Sequence, residues 1–136
     1  MSVLVDTSVW SLALRRRQLP PDAEPIVATL TELLEEAQAV IIGPIRQELL
    51  SGISDDLVFT RLRKRLDIYP DQPLIADDFV CAADFSNRCR RHGVQGSPTD
   101  FLICAVAHRL GIAVFTTDND FSNYAQHVPI ALVPLS

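Results

Sequence analysis

The sequence predicts an α/β fold in which a parallel β-sheet lies between two layers of helices. Strand-like and helix-like segments alternate along all 136 residues, which is the order typical of βα units. The strand-like segments are continuous apolar runs, such as residues 3–5 and 130–133, and such runs indicate strands buried on both faces. No repeat or linker divides the chain, so we expect one domain over residues 1–136.

In the first half of the chain, proline, glycine and aspartate mark the ends of the predicted elements. The first strand stops at Asp6, and Pro20-Pro21 closes the connection after the first helix. Gly43-Pro44 stops the second strand, Gly52 ends the helix that follows, and Asp55-Asp56 begin another helix. The predicted elements are strand 3–5, helix 8–15, helix 25–36, strand 39–42, helix 45–50 and helix 55–65.

In the second half, residues typical of helix ends set the boundaries. Gly93 is placed as the left-handed residue that follows a long helix. Ser97-Pro98 opens the next helix and Gly111 closes it, while residues 117–120 form a polar turn before a short helix. The predicted elements are strand 67–69, helix 76–91, helix 97–110, strand 112–115, a short helix after the turn and strand 130–133.

Composition excludes several classes of protein. The apolar runs are too short to span a bilayer, and no basic segment with a cleavage site precedes Asp6, so we expect a soluble cytoplasmic protein with no membrane partner. Three cysteines without paired spacing indicate free thiols in a reducing compartment. The net charge of -5 at first argues against a nucleic-acid partner.

Acidic residues gather where the predicted strands end. Asp6 follows the first strand, and Asp118 and Asp120 follow the fourth, so a parallel sheet places them at its carboxyl edge. Glu48 and Asp100 lie near the starts of helices that can point to the same edge. Clustered carboxylates raise one another's pKa by repulsion, and a hard divalent cation such as Mg²⁺ or Mn²⁺ relieves that repulsion. The pattern predicts an acidic metal site.

Each acid also has a purely structural explanation. Asp6 and Asp120 can cap the helices that follow them, and Asp100 ends a Ser-Pro-Thr-Asp sequence that resembles a capping box. Glu48 can be a solvated helix carboxylate, and Asp118 can belong to an ordinary polar turn. The joint arrangement of all five acids favours the metal site over these separate explanations.

Four stretches around the acids form one ordered pattern that covers nearly the whole chain. They are Val3-Leu-Val-Asp6-Thr-Ser, Arg46-Gln-Glu48-Leu-Leu, Ser97-Pro-Thr-Asp100-Phe-Leu-Ile and Phe115-Thr-Thr-Asp118-Asn-Asp120-Phe121. Together these stretches resemble the PIN-domain family, and within it the VapC-type ribonuclease toxins of bacterial toxin–antitoxin pairs. The resemblance implies a three-layer α/β/α sandwich whose five-stranded parallel sheet has the order 3-2-1-4-5.

The resemblance also implies a function and a set of site residues. The family is a group of Mg²⁺- or Mn²⁺-dependent endoribonucleases that hydrolyse RNA phosphodiester bonds. By position, Asp6, Glu48, Asp100 and Asp118 match its catalytic, metal-holding quartet, and Asp120 matches a further metal-holding acid. Thr116 matches a hydroxyl residue beside the site, which can contact the substrate phosphate or metal-bound water; the alternative is a structural hydroxyl at the end of a strand. A homodimer and a cognate antitoxin are the implied protein partners, and transfer, ribosomal and messenger RNA all remain open as substrates.

Arginines are the candidate contacts for the RNA backbone. Setting aside the five site acids leaves as many acids as bases among the 17 acidic and 12 basic residues, so the net charge no longer argues against RNA. Arg15 and Arg16 follow the first helix, and Arg88 and Arg91 end the long helix, where they can bind phosphates. The alternative is that these are solvated helix ends, where cations also favour the helix dipole.

Other acidic α/β families fit less well. A receiver domain needs a lysine after its last strand, and the only lysine is Lys64. A haloacid-dehalogenase-like phosphatase needs an Asp-x-Asp sequence, and Ser8 stands at its third position. The remaining alternative is a catalytically silent PIN scaffold that acts as an RNA-binding or protein-interaction module. Such a scaffold is expected to have lost an acid, and the quartet is complete.

Overall fold

A short parallel sheet lies at the centre of the computed structural model, which describes residues 1–14 and 18–135. Strand β1 (Val3–Val5) pairs with β2 (Ala39–Val40) on one side and with β3 (Ala113–Phe115) on the other, both in parallel. All three residues of β1 are buried, although successive side chains of a strand point to opposite faces. Both faces of the sheet are therefore covered, as the sequence predicts for an α/β sandwich.

Helices occupy the segments between and after the strands. Two of the predicted helix ends are confirmed in detail, because the Ser97 hydroxyl accepts the Asp100 N–H at 3.1 Å and Gly111 has φ 65°. In chain order the helices are α1 (Thr7–Leu14), a 3₁₀ turn (Pro21–Ala23), α2 (Glu24–Glu35), α3 (Gly43–Leu50), α4 (Asp56–Leu66), α5 (Ala76–Arg91), α6 (Pro98–Leu110) and α7 (Asp120–Tyr124).

The predicted strand at 67–69 is wrong. The Asp67 N–H donates to the Arg63 carbonyl and the Tyr69 N–H to that of Leu66, each at 3.0 Å. These bonds continue the last turn of α4 and use the N–H groups that a strand would offer to its neighbour. Just after this turn, Asp71 forms an isolated parallel bridge with Ile41.

The predicted strand at 130–133 is also reduced to one parallel bridge, between Leu132 and Val114. Pro129 and Pro134 bracket this segment, and proline has no N–H to give to a ladder. The two bridges flank β2 and β3 on the sides where the order 3-2-1-4-5 places the third and fifth strands. The described residues thus contain three strands of the expected five, in the order β2-β1-β3.

Two arginines tie the loops of the fold to its helices. Arg46 on α3 donates to Asp71 at 2.9 Å, to the Leu66 carbonyl at 3.0 Å and to the Tyr69 carbonyl. Arg109 at the end of α6 donates to the buried Asp78 carboxylate of α5 at 2.7 and 3.0 Å. The Arg109 guanidinium holds the pKa of Asp78 below its usual value, because its hydrogen bonds stabilise the ionised carboxylate.

Trp10 packs in the core and is only 1% exposed. Over residues 1–14 and 18–135, no helix combines the length and the apolar character needed to cross a membrane.

Candidate active site

Asp6 lies at the carboxyl end of β1 and is held by two hydroxyl groups. Asp6 is only 5% exposed. Its Oδ2 accepts one hydrogen bond from the Ser8 hydroxyl at 2.8 Å and one from the Thr116 hydroxyl at 2.7 Å. A buried carboxylate is stable only with such donors. The two donors come from opposite ends of the chain, so they lock the start of α1 to the end of β3.

Thr116 connects Asp6 to Asp118. While its hydroxyl donates to Asp6, the same oxygen accepts the Asp118 backbone N–H at 3.0 Å. Thr116 itself is buried. The hydroxyl therefore sets the turn that follows β3 at a fixed place beside the carboxylate that follows β1.

Glu48 reaches the same region from α3. Its Oε1 accepts the Thr7 hydroxyl at 2.8 Å, and Thr7 is the neighbour of Asp6 in the chain. The Gly43-Pro44 start of α3, three residues after β2 ends, places Glu48 in the second turn of a helix that packs against α1.

Three aspartates form the tightest group of acids in the described part of the chain. Asp100, Asp118 and Asp120 each offer a carboxylate oxygen within 4.8 Å of those of the other two. Asp118 and Asp120 share one turn, in which Asp118 Oδ1 accepts the Asp120 N–H at 2.9 Å. Asp100 comes from the first turn of α6. Two separate elements thus bring three negative charges to one point.

Asp100 has a further contact that distinguishes it from the other two aspartates. Its Oδ2 accepts the Tyr124 hydroxyl at 2.6 Å. Burial raises the pKa of Asp100, and the charges of Asp6 and Asp118 add to the increase, against the opposing hydrogen bonds from Tyr124 and Ser97. Burial and the neighbouring Asp100 also raise the pKa of Tyr124, so the phenol stays a hydrogen-bond donor at neutral pH.

The donor set fits a hard divalent cation. All three clustered side chains are carboxylates, the ligand type that Mg²⁺ and Mn²⁺ prefer. The salt bridges found within residues 1–14 and 18–135 involve Arg46, Arg88 and Arg109, and none of them neutralises this cluster. Burial is the main cause of the raised Asp100 pKa, and the charges of Asp6 and Asp118 add to it.

The predicted substrate-binding arginines differ in their surroundings. Arg88 pairs with Asp84 at 2.8 Å and lies over the Phe85 ring, whereas Arg91 is exposed at the end of α5. Arg15 and Arg16 lie outside the described residues. Their role in substrate binding stays a prediction.

Sequence reasoning missed three side chains that hold the acids in place: Thr7, Ser8 and Tyr124. Thr7 and Ser8 directly follow Asp6 in the first motif, and this position could have identified them as residues of the site. Capping by Asp120, proposed as its structural explanation, is wrong, because α7 has no side-chain cap.

These features define a class of protein: an α/β domain with an acidic centre at the carboxyl edge of its parallel sheet. The family model described as "PIN domain" matches residues 3–126. The chain belongs to the PIN-domain family.

Two curated relatives have comparable length. The chain is 33% identical over 126 residues to the VapC ribonuclease Mb1587 of Mycobacterium bovis and to Ribonuclease VapC11 of Mycobacterium tuberculosis, covering 91% of this chain and 92% of each relative.

Solved structures share the fold. FitAcB from Neisseria gonorrhoeae superposes with a TM-score of 0.76 at 22% identity, covering 97% of this chain and 96% of that one. VapBC2 from Rickettsia felis, bound to a DNA fragment from its promoter, gives a TM-score of 0.71 at 16% identity and 98% coverage of both chains.

Proposed function

We propose that this protein is a metal-dependent endoribonuclease and the toxin of a type II toxin–antitoxin pair. The observation that carries the proposal is the group of three carboxylates within 4.8 Å of one another, in a chain 33% identical to two proteins named VapC ribonucleases. The reaction is hydrolysis of RNA phosphodiester bonds. We propose further that the chain is a single domain, that two copies form a homodimer, and that the protein acts in the cytoplasm.

The acids of the cluster would hold the cation. Asp100, Asp118 and Asp120 supply carboxylate oxygens close enough to share one ion, and Asp6 and Glu48 complete the set from β1 and α3. When bound, Mg²⁺ or Mn²⁺ lowers the pKa of a coordinated water and stabilises charge on the attacked phosphate.

The hydrogen bonds of the site indicate a role for individual residues. Ser8 and Thr116 both donate to Oδ2 of Asp6, which restrains the rotation of this carboxylate. Thr7 holds Oε1 of Glu48 in the same way. Glu48 or Asp118 would take the proton of the attacking water as general base, since an ionised carboxylate can accept it.

RNA is held outside the acidic centre by guanidinium groups. Arg91 is exposed, and Arg15, Arg16 and Arg88 are the further candidates. Contacts of this kind make affinity fall steeply as salt rises. An antitoxin is the proposed protein partner, and a segment carrying an arginine would neutralise the acidic cluster.

The proposal is tested by incubating the purified chain with total RNA and transfer RNA in Mg²⁺, Mn²⁺ or chelator. Asp6→Asn and Asp100→Asn remove site charges, and Asp22→Asn removes an exposed aspartate of the 3₁₀ turn as the matched control. We expect discrete fragments that require metal, persist in Asp22→Asn and fall at least about 100-fold in both site variants.

Two results would contradict the proposal. Cleavage by the purified chain that survives both the chelator and the two site variants would show that the activity does not use the acidic metal site. Absence of cleavage by wild-type protein that still binds RNA or a protein partner would favour the catalytically silent PIN scaffold.

A further inference from the structure

We propose that Tyr124 is a positioning residue for Asp100, and that residue 96 is a glycine because any side chain there would displace the Tyr124 hydroxyl. This inference rests on the proposed metal-dependent function of the acidic cluster. It concerns a residue outside the acidic motifs, on the helix that follows them.

The phenol is placed to act on one oxygen only. The Tyr124 hydroxyl donates to Asp100 Oδ2 at 2.6 Å, the short distance typical of a hydroxyl bound to a carboxylate. The other carboxylate oxygen, Asp100 Oδ1, takes no part in this hydrogen bond. The torsion that turns an aspartate carboxylate is broad, so this hydrogen bond selects one orientation of the carboxylate.

The Tyr124 ring that carries this hydroxyl is held rigidly by the residues around it. Tyr124 has no exposed surface, and its ring centroid lies 4.9 Å from that of Phe101 and 5.2 Å from that of Phe121. Its backbone carbonyl accepts the N–H groups of His127 and Val128, both at 2.9 Å. Phe101 is the residue after Asp100, so one aromatic cluster fixes the donor and the acceptor together.

Gly96 makes the approach of the phenol possible. A Cβ at this residue would lie 2.2 Å from the Tyr124 hydroxyl oxygen, 2.6 Å from Cζ and 2.9 Å from Cε1. Because the ring is fully buried and packed by two phenylalanines, it cannot swing aside freely. A side chain at residue 96 must therefore push the hydroxyl away from Asp100.

The functional consequence follows from the way metal sites are supported. Groups that hydrogen-bond to a ligating carboxylate orient it, and their loss typically weakens metal binding or activity 10- to 100-fold. Tyr124 supplies this support to Asp100 without touching the cation itself. Its removal should lower metal affinity while leaving the chemistry available at high metal concentration.

The test measures Mn²⁺ binding directly by calorimetric titration, with RNA cleavage over a range of Mn²⁺ concentrations beside it. Tyr124→Phe removes only the hydroxyl. Tyr69→Phe is the matched control, since Tyr69 is the other tyrosine of the chain and its ring packs against Trp10 rather than against the aromatic rings beside Asp100. We expect Tyr124→Phe to weaken Mn²⁺ binding about 10- to 100-fold, with cleavage recovering at saturating Mn²⁺. Tyr69→Phe should bind as wild type does.

Three further variants separate positioning from packing. Gly96→Ala should reproduce the loss of Mn²⁺ affinity. The double variant Gly96→Ala with Tyr124→Phe should bind Mn²⁺ no more weakly than Gly96→Ala alone, because Gly96→Ala has already broken the hydrogen bond that the hydroxyl makes to Asp100. Val128→Ala loosens the same corner but keeps the hydroxyl, so its Mn²⁺ affinity should stay within twofold of wild type.

The outcomes are distinct. If wild-type protein neither binds Mn²⁺ nor cleaves RNA, the proposed function fails, and this inference fails with it. If wild type does both, and Tyr124→Phe binds Mn²⁺ within twofold of wild type, Tyr124 has no positioning role and only the inference fails. A loss in Tyr124→Phe that Val128→Ala matches would also overturn it, because packing alone would then explain the effect. If Tyr124→Phe does not fold, the Gly96→Ala titration decides.

Discussion

Replacing Thr116 by valine removes one hydroxyl from the centre of the site and leaves its shape almost unchanged. That hydroxyl donates to Asp6 at 2.7 Å and accepts the Asp118 N–H at 3.0 Å, and Thr116 is 6% exposed. A hydrogen bond to a charged group contributes about 1.5–3 kcal/mol, and a buried donor left without a partner costs about 1–3 kcal/mol. Because Ser8 still donates to Asp6, we expect Thr116→Val to lower the free energy of unfolding by about 2–3 kcal/mol.

The measurement is urea unfolding at pH 7 with chelator present, because a bound cation would stabilise the folded state and hide the difference. Thr117→Val is the matched control: its residue is the next in the chain, and within the described residues its hydroxyl makes no hydrogen bond. We expect that variant to stay within about 0.5 kcal/mol of wild type. The slope of unfolding free energy against urea should be the same in all three proteins.

One result would refute the reasoning. If Thr116→Val and Thr117→Val unfold within about 0.5 kcal/mol of each other, the Thr116 hydroxyl does not hold Asp6 and Asp118 together. The turn after β3 would then be fixed by its backbone alone.

The remaining predictions concern the scaffold around the site. Because Arg109 lowers the pKa of Asp78 in the folded protein, their pairing stabilises the fold above the unfolded-state pKa, near 3.8, and this contribution is lost as pH falls through the lowered folded-state pKa. Arg109→Met should therefore be less stable than wild type at pH 7, and urea unfolding at successively lower pH should show the gap narrowing below about pH 4; a gap independent of pH would contradict the pairing. Gly111→Ala should cost about 1 kcal/mol in unfolding free energy, since φ is 65° there and no atom obstructs a Cβ. Gly43→Ala, where φ is not left-handed and the nearest atom is 3.9 Å away, should be neutral or slightly stabilising, and equal losses at the two glycines would show that the left-handed backbone is not the cause.

Much of the fold follows from local signals in the sequence. The predicted helix over 76–91 matches α5, because its apolar spacing and its Gly93 terminus are local features. The outer strands at 67–69 and 130–133 could not be predicted correctly from apolar runs alone. Whether a short run becomes a strand depends on where its N–H groups bond, and at Asp67 and Tyr69 they bond within the turn after α4.

The candidate site, like the fold, could be predicted from the sequence only in part. Asp6 and Asp118 follow strands of one parallel sheet, so the strand pattern of the sequence is enough to predict their proximity. The contact between Tyr124 and Asp100 could not be predicted, because the sequence identifies Tyr124 only as an aromatic residue of a short helix. The direction in which its hydroxyl points depends on how α7 packs against α6, which no local pattern specifies.

The hydrogen bond between Thr116 and Asp6 joins residues 110 positions apart in the chain. During synthesis, β1 and α1 are therefore made well before Thr116, the donor to Asp6 that follows β3. A growing chain therefore has no complete acidic centre until residues 116–124 have left the ribosome and folded onto β1. The proposed cleavage of RNA therefore waits until residues 116–124 have folded onto β1.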